Sequence, residues 1–153
     1  WISDNGLVEL CQEMNMPLLF WHVMDDGKDS VDLLEQLLGR FGDTVSYVVV
    51  KNKGRGNRFS IFENSNAKEK AMAVDAHIIE LDQLYPGTMN KIDEINSSFW
   101  AAANNREPQA GRCLNLLERR RVKIWLENGY RTLDELGCFS MKSEASASVQ
   151  LID

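Results

Sequence analysis

The residues able to do chemistry collect in three short polar stretches, each directly after an apolar run. Residues 25–30 read Asp-Asp-Gly-Lys-Asp-Ser, residues 51–58 read Lys-Asn-Lys-Gly-Arg-Gly-Asn-Arg, and residues 82–87 read Asp-Gln-Leu-Tyr-Pro-Gly. The middle stretch packs four cations and two glycines into eight residues. A phosphate- or nucleic-acid-binding turn has that composition, and so does a solvated loop. Asn52 follows Val48, Val49, Val50 and Lys51 without a break. Its carboxamide carries both a donor and an acceptor, so it can pair with the N6/N7 edge of adenine. It can equally cap its own backbone turn. The Gly27-Lys28 pair is not a phosphate loop. That motif needs a glycine five residues before its Gly-Lys and a hydroxyl residue after the lysine, whereas His22 and Asp29 stand there.

Other candidates for chemistry fall away. His22 and His77 sit inside apolar runs and read as core or contact histidines, and neither has a cysteine or carboxylate at metal-ligand spacing. Cys11, Cys113 and Cys138 are isolated, which suits three small hydrophobes in a reducing, cytoplasmic setting. Arg119, Arg120, Arg121 and Lys123 form a run that spreads over more than one helical face and reads as solvated surface. No serine elbow, Cys-His context or carboxylate pair of the glycosidase kind is present, so no catalytic residue is assigned.

The elements that must hold these loops follow from the hydrophobic pattern. Residues 17–24, 45–50 and 76–81 are short, nearly continuous apolar runs, as expected of parallel strands covered on both faces. Helical patterns separate them. Residues 4–15 place Leu7, Leu10, Cys11 and Met14 on one side. Asp29 and Ser30 are expected to cap a helix over residues 31–38, with Gly39 and Gly42 as stop signals. Asn64 or Ser65 is expected to cap a helix over residues 67–74, and Thr88 one carrying Met89, Ile92, Ile95, Phe99 and Trp100. Beyond a polar break at residues 104–108, a long helix is expected over residues 111–128 with Gly129 as its terminal glycine. A short helix over residues 132–136 comes next. The fold class is α/β: a three-layer α/β/α arrangement on a mainly parallel sheet of about three strands, Rossmann-like, with a helical C-terminal part. Residues 1–137 form the single domain. The Ser/Ala-rich residues 138–153 read as a flexible tail.

Composition bounds the partners. The chain has 153 residues with 17 Lys and Arg against 23 Asp and Glu, a net charge of −6, and 44% hydrophobic residues. That is one soluble globular domain. The acidic balance disfavours direct binding of nucleic acid, and no apolar run is long enough to cross a membrane. The chain begins at Trp1 without a methionine, which points to processing or to a longer parent.

Taken in order, residues 19–30, 47–56, 88–93 and 98–102 resemble the C-terminal half of a ParA/MinD-type P-loop ATPase, in particular the plasmid-mobilisation and conjugal-transfer type similar to TraL proteins. The resemblance extends over residues 1–137. It implies an ATP-binding parent protein that uses magnesium, with Asn52 and its neighbour Lys53 at the adenine and the turn from Leu81 and Asp82 closing over the base. The family often has a proline where this chain has Asp82. The family's phosphate-gripping glycine loop and magnesium-managing acidic strand have no counterpart here, so the chain alone is expected to bind no nucleotide firmly and to hydrolyse none. The partners implied are the missing N-terminal half or a second subunit in a homodimer, and a plasmid-transfer or partition protein. The other reading is a non-enzymatic protein-interaction module on a Rossmann-like fold.

Overall fold

The computed structural model describes residues 6–104 and 114–137. Within them the chain is mixed α/β: a three-stranded parallel sheet and seven helices. The strands are β1 (Leu19–Met24), β2 (Ser46–Asn52) and β3 (His77–Leu81), in the spatial order β1-β2-β3. Leu19 lies opposite Ser46, and Val48 opposite His77. Parallel pairing of consecutive strands forces a crossover between each pair. Helix α2 (Lys28–Phe41) supplies the first, and α3 (Ser60–Glu63) with α4 (Asn66–Ala73) the second. Helix α1 (Leu7–Glu13) precedes the sheet, and α5 (Pro86–Glu94), α6 (Phe99–Asn104) and α7 (Leu116–Glu135) follow it.

The register puts Phe20, His22 and Met24 on the same face as Tyr47, Val49 and Lys51, and as Ile78 and Glu80. That face meets the apolar stripe Val31, Leu34 and Leu38 of α2 and the small residues Ala67 and Ala71 of α4, forming the main core. On the opposite face, Val48 and Val50 are buried, but Trp21 is 41% and Val23 57% exposed. The expectation of strands covered on both faces therefore holds for β2 alone. The strands β1 and β3 are sheet edges, and His77 is exposed rather than a core residue. A second core joins Leu84, Ile92, Ala102, Leu114 and Val122 from the C-terminal helices.

Several helix boundaries differ from the sequence pattern for identifiable reasons. Helix α2 starts at Lys28, so Asp29 and Ser30 lie within its first turn instead of capping it. The turn that leads into it is held by Asp25, whose Oδ1 accepts from the Gly27 N–H at 2.9 Å and from the Ser30 hydroxyl at 2.7 Å. Gly42 ends the helix with φ 52°, while Gly39 lies inside it. Ser65 caps α4 as expected, its Oγ accepting from the Lys68 N–H. Thr88 caps nothing. It is buried in the first turn of α5, which opens on Pro86. The single helix expected from Thr88 to Trp100 is two, because Asn96 takes a left-handed φ of 48° and turns the chain between α5 and α6.

Helix α7 opens on a reciprocal capping box. The Asn115 side chain accepts from the Glu118 N–H at 2.9 Å, and the Glu118 carboxylate accepts from the Asn115 N–H at 2.8 Å. The helix then runs unbroken through Gly129 to Glu135, so the expected stop at Gly129 and the separate helix over residues 132–136 are one continuous element. The expected first residues of this helix, 111–113, and the tail 138–153 lie outside the described residues. A Cβ on Gly129 would meet nothing within 4 Å. Gly129→Ala is therefore expected to stabilise the fold by about 0.5–1 kcal/mol, read as a higher urea midpoint at unchanged slope.

Candidate functional site

The three polar stretches converge at the carboxyl edge of the sheet, where open parallel sheets hold ligands. They are bound to one another. The Asn57 N–H donates to Asp26 Oδ2 at 3.3 Å, and Gly56 packs directly on Asp26: a Cβ there would stand 2.8 Å from the Asp26 backbone nitrogen. The third stretch is tied in by the Lys53 N–H, which donates to the Leu81 carbonyl at 2.9 Å. From the other side, Trp125 of α7 donates its Nε1–H to the Asp82 carbonyl at 2.6 Å.

The four residues singled out in sequence come together here. Asn52 and Leu81 are register partners at the ends of β2 and β3, and Lys53 and Asp82 follow them. Asn52 turns its Oδ1 to the Gly54 N–H at 3.0 Å, and its carbonyl accepts from Arg55 N–H at 2.9 Å, closing a turn. The local-capping role is thus real. It leaves the Nδ2 group without a hydrogen bond among the described residues, and Oδ1 with a second lone pair.

The lysines of the loop are committed elsewhere. Lys51 Nζ lies 3.0 Å from Glu63 and 2.8 Å from Glu80; Lys53 Nζ lies 2.6 Å from Glu80 and 3.2 Å from Asp82; Lys68 closes on Glu63 at 2.6 Å. Signs alternate along Lys68, Glu63, Lys51, Glu80, Lys53 and Asp82, so the row is neutral. Burial acts against the charged form of Lys51, but the bonds from Glu80 and Glu63 outweigh it and hold the ammonium above its ordinary value. The bonds from Lys51 and Lys53 pull Glu80 down to about 2. Asp25 is also held below the usual carboxylate range, first by the Ser30 hydroxyl and then by the Gly27 N–H.

His22 is buried on the core face, as its sequence context implied, and its Nε2–H donates to the Ser30 carbonyl at 2.9 Å. Burial pushes its pKa below the ordinary value. Among the described residues no group of three or more His, Cys, Asp or Glu is placed to hold a metal ion, and no helix is long and apolar enough to cross a membrane.

One feature had no sequence signal. A cavity of about 220 Å³ lies between the exposed face of the sheet and α7, walled by Trp21, Val23, Val50, Ile79 and Trp125, with Leu81 and Asp82 at its rim. It needs the register of three strands and the tilt of a distant helix, neither of which a linear pattern contains. Comparison of the chain with models of protein families, with curated proteins and with solved structures finds no match.

Two outcomes test this geometry. Gly56→Ala forces a methyl group onto the backbone of Asp26 and is expected to cost about 1–3 kcal/mol, measured by urea denaturation. Glu80 has a folded pKa of about 2, below the ordinary 4.5, so its stabilisation is complete above 4.5 and is lost as pH falls toward about 2. A urea midpoint that declines between about pH 5 and about pH 3 is expected, with a shallower decline in Glu80→Gln.

Proposed function

We propose that this chain is the base-recognising, C-terminal part of a ParA/MinD-like nucleotide-binding ATPase that serves plasmid mobilisation, conjugal transfer or partition, and that it is inactive alone. The carrying observation is Asn52: a carboxamide at the carboxyl end of a central parallel strand, with Nδ2 and one Oδ1 lone pair open among the described residues. An adenine edge requires that pair of functions. In this reading the sheet is the core of a three-layer α/β/α, Rossmann-like domain, and the turn of Leu81 and Asp82 packs against the base.

The residues present fit the base and not the phosphates. Lys51 and Lys53 are neutralised by Glu63, Glu80 and Asp82. Asp25, Asp26 and Asp29 crowd the neighbouring loop, and the turn holding Gly54 and Gly56 after β2 is closed on Asn52 and packed against Asp26. Magnesium and the triphosphate would be gripped by another segment, and no step of hydrolysis is assigned to any residue here. The free edge of β1 is where such a segment would add its strand. Within the described residues this edge is unpaired, carries no charged side chain to discourage pairing, and leaves Leu19, Trp21 and Val23 exposed. The same edge supports the second reading, a protein-interaction module whose partner or second copy pairs there.

Titration of a fluorescent ATP analogue into the 153-residue chain tests the proposal. Weak binding that adenosine competes away is expected, with no phosphate release. Asn52→Ala is expected to weaken binding about 5- to 100-fold, from about 1–3 kcal/mol for a bidentate base contact. Asn52→Asp keeps the acceptor for Gly54 N–H but removes the donor, so it should fold and still lose the base. Unchanged affinity in both variants, or brisk ATP turnover by the chain itself, would overturn the reading.

A further inference from the structure

The cavity of about 220 Å³ beside α7 has walls of two origins. Trp21, Val23, Val50 and Ile79 come from the three strands, all on the sheet face turned away from the main core. Trp125, Gly129 and Leu133 come from α7, where a spacing of four residues keeps them on one side. Gly129 is the unexpected residue among them. It lies inside a 20-residue helix, where glycine is the least favoured residue after proline. A Cβ there would meet nothing within 4 Å among the described residues, so packing does not demand a glycine. Any larger side chain at this position would take up space that the cavity now holds. The helix forgoes stability here and the hollow stays open. Departures from local preference of this kind concentrate where a protein binds something.

We propose that this cavity receives the ring of a purine base, packed against its indole walls Trp21 and Trp125 and offering its polar edge toward Asn52. The inference rests on the base-binding reading and adds where the ring goes. Size selects the occupant first. A cavity of roughly 150 Å³ takes one benzene ring, so this one suits a fused two-ring system. Wall chemistry selects next. Two indoles supply flat π faces, on which heterocyclic bases stack, whereas an alkyl chain gains only burial from the same walls. Placement comes third. By strand alternation the side chains of Val48, Val50 and Asn52 share one face, so Asn52 stands one step past the Val50 wall, toward the carboxyl edge. Leu81 and Asp82 at the cavity rim are the residues assigned to close over the base. Ribose and phosphates would stay outside at that rim, because apolar walls below it cannot replace their hydration.

Calorimetric titration of the 153-residue chain with adenosine tests the proposal, with 1-octanol as the alkyl probe. Saturable adenosine binding is expected, and weaker binding of octanol. Gly129→Leu puts a helix-favouring side chain into the hollow, so it should raise the urea midpoint and abolish adenosine binding. Trp21→Leu, at a position 41% exposed, should fold and bind adenosine about 5- to 100-fold more weakly. Circular dichroism checks the fold of each variant; Gly129→Ala, with a smaller loss of binding, is the substitute where Gly129→Leu does not fold. Adenosine binding that both cavity variants leave intact overturns the pocket, and if Asn52→Ala still weakens it, the base-binding reading survives alone. Loss of binding in the cavity variants with no effect of Asn52→Ala supports the pocket and overturns the Asn52 contact. Octanol binding tighter than adenosine overturns the proposal, and so does a chain that binds no adenosine, as when one of its own segments fills the hollow.

Discussion

The burial of β2 is the constraint on which the rest depends. Residues 47–50 are all buried, so successive side chains pointing to opposite faces must both be removed from water. Neither helices nor neighbouring strands could be spared. Parallel neighbours on both sides satisfy the strand's backbone groups, and parallel pairing forces long crossovers, which become α2 and the α3–α4 pair. The crossovers then roof the core face with Leu34, Leu38, Ala67 and Ala71. Each later feature of the sheet follows from satisfying this one strand.

The same constraint dictates the electrostatics at the carboxyl edge. Lys51 is the residue after the buried run, and its register points it to the core face, where its side chain is only 14% exposed. A half-buried ammonium is costly unless it is paired. Glu80 reaches it from the adjacent strand because the register sets those two residues opposite one another, and Glu63 reaches it from α3. Lys53, two residues on, shares Glu80 and adds Asp82. The two lysines of a stretch that counts as strongly basic along the chain are thereby neutralised in space, while Arg55 and Arg58 stand exposed beyond them.

Elements with local signals were legible in the sequence. Three strands, their order and the stripe of α2 follow from apolar periodicity, and the Ser65 cap from residue type. The signals that failed were ambiguous for physical reasons. Gly129 stops a helix only if the chain turns there, and α7 continues through it to Glu135. Asp29 and Ser30 have the chemistry of caps, but α2 begins at Lys28, ahead of both, and the Ser30 hydroxyl is taken up by Asp25. Asn52, Lys53, Leu81 and Asp82 could be placed together at the carboxyl edge because strand ends are visible in sequence. Their ion-pair partners and the cavity beside α7 were not, because Glu63, Glu80 and Trp125 arrive through register and distant packing.

Helix α7 distributes these features by its period. Glu118, Val122 and Trp125 fall on one face, which carries the paired carboxylate, the second core and the hydrogen bond to Asp82. Leu116, Arg120 and Lys123 fall on another, which lines a groove shared with α6. Cations on the first face would have to be neutralised to be buried, as Lys51 is on the sheet. Arg120 and Lys123 on the second lie exposed to water. Ion pairing on this protein therefore tracks burial and register rather than local composition: Lys51 and Lys53 are paired with carboxylates across the sheet edge, whereas Arg120 and Lys123 stand on exposed helix surface.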